Sequence, residues 1–207
     1  MYRVNEIFYS LQGEGFWTGR PAVFVRLSGC NLRCPWCDTD FRSFREMPAE
    51  TICEACIQLT QDFIRSTDSD KMLLVLTGGE PALQADEALV EALHSAGFYV
   101  AIETNGTLPL PRGIDWVTCS PKEGSTVVLQ EADELKVVYT GNSPELWREC
   151  INARHYYLQP LADAQEINSS NTSAISNSSN TSDTIQYIQQ HPWWRLSLQT
   201  HKLTGIR

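Results

Sequence analysis

An alternation of short apolar segments with stretches of helical periodicity constrains the fold of this 207-residue chain most. Residues 72–76 form a continuous apolar run, which is typical of a strand covered on both faces. In residues 22–29, Val23, Val25 and Leu27 fall on one side of an extended chain and Phe24, Arg26 and Ser28 on the other, which predicts another strand. In residues 51–65 the apolar side chains recur every three or four positions, which predicts a helix. Strands that alternate with helices indicate an α/β fold with a mostly parallel sheet.

The remaining segments continue this alternation. We predict strands at residues 98–102, 116–119, 135–139, 156–158 and 195–199, and helices at residues 86–96, 144–151 and 184–190. The helices are few and some connections are short, so the sheet should form an incomplete TIM-like barrel instead of a full eight-fold barrel. The length of the chain suits a single domain over residues 1–207.

A perfect repeat interrupts the pattern. The hexamer Asn-Ser-Ser-Asn-Thr-Ser occupies residues 168–173 and recurs at residues 177–182. It has no apolar periodicity, so it cannot bury enough surface to offset the entropy of ordering it. We therefore expect a flexible, low-complexity loop at about residues 168–182.

Charge and composition narrow the class of partner. The formal net charge is −9 and the pI is about 4.9, which disfavours binding to nucleic acid and favours a small-molecule substrate. No stretch reaches the roughly 20 apolar residues that span a bilayer, and residues 1–6 do not resemble a secretory signal. We therefore expect a cytoplasmic protein. Its seven cysteines are then metal ligands or buried residues, not a disulfide framework.

Three of these cysteines follow a predicted strand with the spacing C-x3-C-x2-C, at Cys30, Cys34 and Cys37. Three thiolates on one short loop can hold a 4Fe-4S cluster, which normally takes four cysteines. The fourth iron would stay open to a cofactor, as catalytic zinc keeps an open position. A zinc site is the alternative interpretation, but it would need a fourth protein ligand, and the loop contains no histidine.

This cysteine motif, with Trp36 before its last member, is similar to the signature of the radical S-adenosylmethionine (SAM) superfamily. The resemblance implies a reduced cluster that splits SAM into methionine and a 5′-deoxyadenosyl radical, which abstracts a substrate hydrogen. The sequence Thr-Gly-Gly-Glu-Pro at residues 77–81 resembles the motif that receives the SAM amino group. Residues 103–106 end another predicted strand where α/β enzymes place ligands, although a simple turn explains Asn105-Gly106 equally well.

Further segments resemble the 7-carboxy-7-deazaguanine synthases over nearly the whole chain. They include residues 8–15, 19–21, 24–26, 37–39, 120–122, 159–160 and 198–202. The resemblance implies conversion of 6-carboxy-5,6,7,8-tetrahydropterin to 7-carboxy-7-deazaguanine with release of ammonia, in queuosine-type 7-deazapurine biosynthesis. It also implies magnesium, SAM and a 4Fe-4S cluster as cofactors.

The resemblance also implies a set of site residues. Gln12 and Glu14 suit the polar edge of a pterin, and Arg26 suits its carboxylate in a two-pronged contact. The full substrate set is Leu11, Gln12, Gly13, Glu14, Arg26, Thr77, His201 and Arg207, the last through its terminal carboxylate. The SAM set is Trp36, Cys37, Asp38, Gly79, Glu80, Ser120, Pro121, Lys122 and Gln159, and Thr39 is implied as a magnesium ligand.

Two other functions remain open at this point: a radical SAM activase acting on a partner protein, and a non-enzymatic iron–sulfur or zinc module. We expect an electron donor such as flavodoxin or ferredoxin, and a homodimer to which the Trp193-Trp194 pair could contribute. Cys53 and Cys56 have the spacing of half a redox or zinc motif, but their helical setting favours packing over an auxiliary cluster. We expect packing roles for Cys119 and Cys150 as well.

Overall fold

The computed structural model describes residues 1–37, 39–40, 42–60, 71–161 and 179–207. Its strands are β1 (Tyr2–Leu11), β2 (Pro21–Leu27), β3 (Arg45–Met47), β4 (Met72–Gly78), β5 (Phe98–Thr104), β6 (Trp116–Cys119), β7 (Glu131–Tyr139), β8 (Asn152–Pro160) and β9 (Arg195–Leu196). Its α-helices are α1 (Ala49–Thr60), α2 (Glu87–Ser95), α3 (Glu145–Cys150), α4 (Ser179–Gln190) and α5 (Thr200–Thr204), and a 3-10 turn spans Pro81–Leu83.

The strands form one open sheet in the order β3-β1-β2-β4-β5-β6-β7-β8-β9. Every neighbouring pair from β2 to β9 is parallel, and β1 runs antiparallel to both β2 and β3. The two edges, β3 and β9, do not pair with each other, so the sheet does not close. The predicted α/β fold with a mostly parallel, incomplete barrel is therefore confirmed.

The two faces of the sheet bury different cores. On one face Val25, Leu74 and Ile102 pack with α1 and α2, as expected of parallel strands covered by crossover helices. On the other face Phe24, Val75 and Trp116 pack with Phe8 and with the partly buried Trp17 from the connection between β1 and β2. The second core fills the face near the beginnings of the strands and leaves their carboxyl ends for polar side chains.

A polar row follows at those carboxyl ends. The register pairs Arg26 of β2 with Thr77 of β4, and the Thr77 hydroxyl donates to Glu103 of β5 at 3.3 Å. Glu103 pairs with Thr118 of β6, which pairs with Glu134 of β7. Since the carboxyl ends of parallel strands are where α/β folds bind ligands, this row identifies the functional face of the sheet.

Several elements differ from their predicted bounds. The second copy of the hexamer is not wholly a loop, because α4 begins at Ser179 and includes its last four residues. The Thr184 hydroxyl donates to the Asn180 carbonyl at 2.6 Å, and the Asn180 amide donates to the Leu161 carbonyl at 3.1 Å, so this turn is held onto the end of β8. The rest of the predicted loop, residues 168–178, lies outside the described residues.

The predicted helix at residues 51–65 is observed from residue 49 to residue 60, and its last five positions lie outside the described residues. The final predicted strand shortens to two residues, because the chain turns into α5 soon afterwards. Within the described ranges, each helix is too short or too polar to cross a membrane.

Candidate active site

A cleft of about 980 Å³ opens over Arg26, Thr77 and Glu103 of the polar row, at the carboxyl ends of β2, β4 and β5. It collects most of the residues that the sequence predicts for the substrate, SAM and metal sites. They are Leu11, Gln12, Gly13, Glu14, Arg26, Cys30, Cys34, Trp36, Cys37, Thr39, Thr77, Gly79, Ser120, Lys122, Gln159, His201 and Arg207. Glu80 and Pro121 are buried and do not line it, and Asp38 lies outside the described residues.

The cysteine loop forms one side of the cleft. Cys30 and Cys34 are half-buried and Cys37 is exposed, and the Cys37 N–H donates to the Cys34 carbonyl at 3.2 Å. Burial raises the pKa of the Cys30 and Cys34 thiols, while the nearby Lys122 ammonium opposes that rise at Cys34. No three His, Cys, Asp or Glu side chains of the described ranges converge as the ligands of a single metal ion do. Three thiols facing one cleft match the ligand type of an iron–sulfur cluster.

Two glycines bring the end of β4 against the start of the cysteine loop. A Cβ on Gly78 would lie 2.0 Å from the Leu27 carbonyl oxygen, and one on Gly79 would lie 2.0 Å from the Gly29 carbonyl oxygen. The backbone bonds that result are Gly79 N–H to Leu27 O, 3.1 Å, and Glu80 N–H to Gly29 O, 2.9 Å. The paired glycines are therefore required by close backbone packing beside the first cysteine.

Glu80 ties this turn to the end of β5. Its carboxylate is 1% exposed and accepts hydrogen bonds from the Thr104 hydroxyl at 2.7 Å, the Asn105 N–H at 2.7 Å and the Ala82 N–H at 3.0 Å. These contacts give Glu80 a structural role that the sequence does not reveal. Its contact with SAM stays a prediction.

Asn105 connects the end of β5 to the cysteine loop. Its side-chain amide donates to the Asn31 side chain at 3.0 Å, and Asn31 in turn donates to the Thr107 hydroxyl at 2.7 Å. Asn105 also lines the cleft although it is only 6% exposed. Residues 103–106 therefore do more than reverse the chain, since they join the cysteine loop to the sheet.

A buried charge cluster forms the floor of the cleft. The Lys136 ammonium lies 2.5 Å from a Glu14 carboxylate oxygen and 3.5 Å from a Glu103 carboxylate oxygen, and the Lys136 side chain is 6% exposed. Burial alone would raise the pKa of Glu14, but the charge and hydrogen bond of Lys136 hold it well below its usual value. Burial would likewise lower the pKa of Lys136, yet the surrounding carboxylates hold it above its usual value. Glu14 and Lys136 are thus both charged at neutral pH.

Glu103 lies at the centre of the polar contacts. One of its oxygens accepts from the Gln12 side-chain amide at 2.9 Å and the other from the Thr77 hydroxyl at 3.3 Å. Sequence reasoning noted Glu103 at a strand end but did not assign it to the site, and it missed Lys136. The signal for Lys136 was a lone charge within the predicted strand at residues 135–139, where a buried ammonium needs a carboxylate partner.

Arg26 occupies the other side of the cleft. Its Nε–H donates to Glu6 at 2.8 Å, and the Arg207 guanidinium also pairs with Glu6. Both guanidinium groups lie over the Phe8 ring, at 5.9 and 4.9 Å from its centroid. Because β2 lies between β1 and β4, Arg26 is not on an edge strand, and its side chain is 22% exposed. The Arg26 guanidinium, held by Glu6, therefore faces this side of the cleft.

Residues 199–207, the closing segment, fold over residues 10–14. The Thr200 N–H donates to the Gly13 carbonyl at 2.9 Å, and the Gln199 amide donates to Glu14 at 2.9 Å. His201 packs so closely that a Cβ on Gly13 would lie 2.3 Å from its Nδ1 atom. The closing segment therefore brings His201 and Arg207 to the cleft, where both were predicted.

The comparisons with known proteins agree with this geometry. The model of the Radical SAM superfamily matches residues 24–155. A 7-carboxy-7-deazaguanine synthase of Bacteroides thetaiotaomicron is 48% identical over 100% of both chains, and one of Burkholderia multivorans is 39% identical over 99% of both. The chain belongs to the 7-carboxy-7-deazaguanine synthase family. The crystal structure of QueE from Escherichia coli is 29% identical, with a TM-score of 0.69 over 95% of this chain and 93% of that one.

Because the chain belongs to the Radical SAM superfamily, it is a radical SAM enzyme that uses a 4Fe-4S cluster and SAM. Family membership does not favour the alternative of an activase acting on a partner protein, since the similar proteins are named as synthases. It also disfavours the non-enzymatic module.

The remaining cysteines and the Trp193-Trp194 pair, which we did not assign to the active site, do not line the cleft. Cys53 and Cys56 are buried between α1 and the sheet, and Cys119 is also buried, as predicted for packing residues. Cys150 is exposed, so its predicted packing role is wrong. It lies at the end of α3, a helix whose described residues include none that is buried. Trp194 is 2% exposed and bonds to Glu145, so within the tryptophan pair Trp193 alone offers exposed surface.

Proposed function

We propose that this protein converts 6-carboxy-5,6,7,8-tetrahydropterin to 7-carboxy-7-deazaguanine with release of ammonia, in 7-deazapurine biosynthesis of the queuosine type. The observation that carries the proposal is the full-length similarity to synthases of that name, at 48% identity for the Bacteroides protein. The cleft supports it, since thiols, arginines and paired carboxylates face one space large enough for a cofactor and a substrate.

Cys30, Cys34 and Cys37 would hold the cluster, and SAM would lie against Trp36, Cys37, Asp38, Gly79, Glu80, Ser120, Pro121, Lys122 and Gln159. When bound, the cluster and SAM supply the radical that abstracts a substrate hydrogen. Lys122 supports the assignment because its ammonium is fixed by the Ser120 carbonyl and hydroxyl, at 2.5 and 2.7 Å, and lies 5.7 Å from the centroid of the Trp36 ring. Such a fixed cation suits a carboxylate ligand.

The pterin would bind with its carboxylate at Arg26 and its donor edge at Glu14 and Glu103. Lys136 keeps Glu14 ionised, so that it accepts hydrogen bonds from ring N–H groups. Arg26 and Glu103 lie on strands two positions apart, or about 10 Å at the usual strand spacing. That separation suits a bicyclic ring with a carboxylate at one end. Leu11, Gln12, Gly13, Thr77, His201 and Arg207 complete the proposed contacts.

Thr39 would offer its hydroxyl to Mg²⁺, which keeps most of its other ligands as waters and substrate oxygens. Its support is that Thr39 is half-buried and lines the cleft beside Asp40. We further propose a cytoplasmic homodimer reduced by a flavodoxin or ferredoxin. The exposed Trp193 is one residue that the dimer could cover.

The test is anaerobic turnover of reconstituted protein with SAM, a reductant and carboxytetrahydropterin, with and without Mg²⁺, with mass spectrometry of the product. We expect 7-carboxy-7-deazaguanine, faster with Mg²⁺. Cys34→Ala should lose the cluster and the product. Cys53→Ala, the matched control at a cysteine outside the cleft, should retain both. A wild-type protein that carries the cluster and forms no deazaguanine would refute the proposal.

A further inference from the structure

Glu134 lies beneath the turn formed by residues 13–16 and does not line the cleft. Its carboxylate accepts a hydrogen bond from the Phe16 N–H at 2.9 Å, and Glu134 is 2% exposed. Its second oxygen faces Gly15, where an added Cβ would lie only 2.0 Å away and where φ is +65°. The Gly15 N–H donates to the Ser197 hydroxyl at 3.0 Å. The Glu134 carboxylate and the Ser197 hydroxyl therefore both hold the backbone of this turn in place.

The same turn carries Glu14, which points to Lys136. The charged groups that face Glu134 are Lys136 on its own strand, Glu103 on β5 and Glu14 on the turn, and His155 is its register partner on β8. The Lys136 ammonium is thus attracted to three carboxyl groups, those of Glu14, Glu103 and Glu134. Burial raises the pKa of Glu134 to about 7 against the attraction of Lys136, and the other two carboxylates add to the rise.

We infer that Glu134 is a positioning residue for substrate binding, because it holds the Gly15–Phe16 peptide so that Glu14 faces Lys136 and the cleft. This inference rests on the proposed function for its kinetic consequence. Its structural part, the fixing of residues 13–16, does not depend on the identity of the substrate.

Ionisation of Glu134 changes the balance of the cluster. With Glu134 protonated, one ammonium faces two carboxylates; with Glu134 ionised, it faces three in the same buried space, and the contact with Glu14 weakens. As the pH rises through the raised pKa of Glu134, the binding-competent fraction falls, so the apparent KM for the pterin rises severalfold. The kcat at saturating substrate should change little, because Glu134 does not touch the reacting atoms.

The test uses the reconstituted full-length holoenzyme and two variants at the same position. Glu134→Gln stays neutral and still accepts from the Phe16 N–H, so its KM should be low and independent of pH from 6 to 8. Glu134→Ala leaves that N–H without its acceptor, so its KM should rise about tenfold at every pH. Hydrogen–deuterium exchange of the peptide spanning residues 12–17 should accelerate in Glu134→Ala and not in Glu134→Gln.

Asp133→Ala is the matched control. Asp133 is the neighbouring residue on β7, so its side chain points to the opposite face of the sheet. Its carboxylate accepts from the Val117 N–H at 2.9 Å, the same kind of bond, and also pairs with Arg154 at 3.2 Å. This variant should lose thermal stability without a change in KM or in the exchange of residues 12–17.

Two results would overturn the inference: Glu134→Gln with the full pH dependence of the wild type, or Glu134→Ala with wild-type KM and exchange. A wild-type holoenzyme that does not turn over the pterin would refute the proposed function instead. In that case the exchange data alone decide the role of Glu134, and equal exchange in wild type and Glu134→Ala would refute it.

Discussion

Replacement of Lys136 by methionine removes the one ammonium of the charge cluster and keeps a side chain of similar length. The Lys136, Glu14 and Glu103 side chains are 6%, 16% and 25% exposed, so water can do little to solvate the carboxylates that remain. Loss of one partner from a buried ion pair typically costs about 3–5 kcal/mol. For a chain of this length that corresponds to a fall in Tm of about 6–20 °C.

The pH dependence follows from the directions of the two pKa shifts. The pKa of Glu14 lies below its usual 4.5, so its contribution to stability is present above pH 4.5 and is lost as the pH falls further. The pKa of Lys136 lies above its usual 10.5, so its contribution is present below pH 10.5 and is lost as the pH rises through the higher folded-state value. The deficit of Lys136→Met should therefore be largest between these limits and shrink toward pH 4, where the stranded carboxylates take up protons.

The assay is urea or thermal unfolding of wild type and Lys136→Met at pH 8 and pH 4. Lys122→Met is the control, because Lys122 lines the same cleft but its ammonium bonds to the Ser120 carbonyl and hydroxyl and not directly to a carboxylate. The double variant Lys136→Met/Glu14→Gln should recover part of the loss. A Lys136→Met protein as stable as wild type at pH 8, or one with the same deficit at both pH values, would show that the cluster is not the charged assembly described.

Three further predictions follow from particular contacts. Gly79→Ala should lower the iron content of reconstituted protein, because its Cβ would meet the backbone of the cysteine loop, whereas Gly97→Ala, with a positive φ but no atom within 4 Å, should affect stability alone. Cys56→Ala should leave the iron content per chain unchanged, since this thiol lies on the face of α1 that is buried against the sheet; iron analysis checks both. Glu6→Gln should raise the KM for the pterin severalfold at neutral pH, because an ionised Glu6 holds Arg26 in place; unchanged KM at pH 7 would contradict this.

The sequence predicted the parallel sheet because its strands carry their own signals. The apolar run that became β4 and the alternation that became β2 need no tertiary information. By contrast, β1 mixes polar and apolar residues over ten positions, and it is a strand because it pairs with β2 on one side and β3 on the other. Likewise α5 is five residues long and depends on its contact with residue 13. Elements that depend on partners are not visible in local patterns.

The same distinction applies to the site. The cysteine loop was predictable because spacing alone brings its three thiols together. Glu103, Glu134 and Lys136 were not, because they come from two strands and meet through register and side-chain direction. A lone lysine in an apolar strand signals a buried partner, but nothing in the sequence tells which carboxylate that is.

The order of charges across the sheet gives the cleft a direction. The Arg26 guanidinium, held by Glu6, lies on one side of the cleft. Two strands away, Glu103 shares one ammonium with Glu14, so that side keeps a negative balance. A ligand with an anionic group at one end and N–H donors at the other is attracted in one orientation and repelled in the reverse one. The reverse orientation would place the ligand's carboxylate against Glu14 and Glu103, where like charges repel. The register of β2 and β5, which sets the positions of Arg26 and Glu103, therefore determines the orientation in which such a ligand binds.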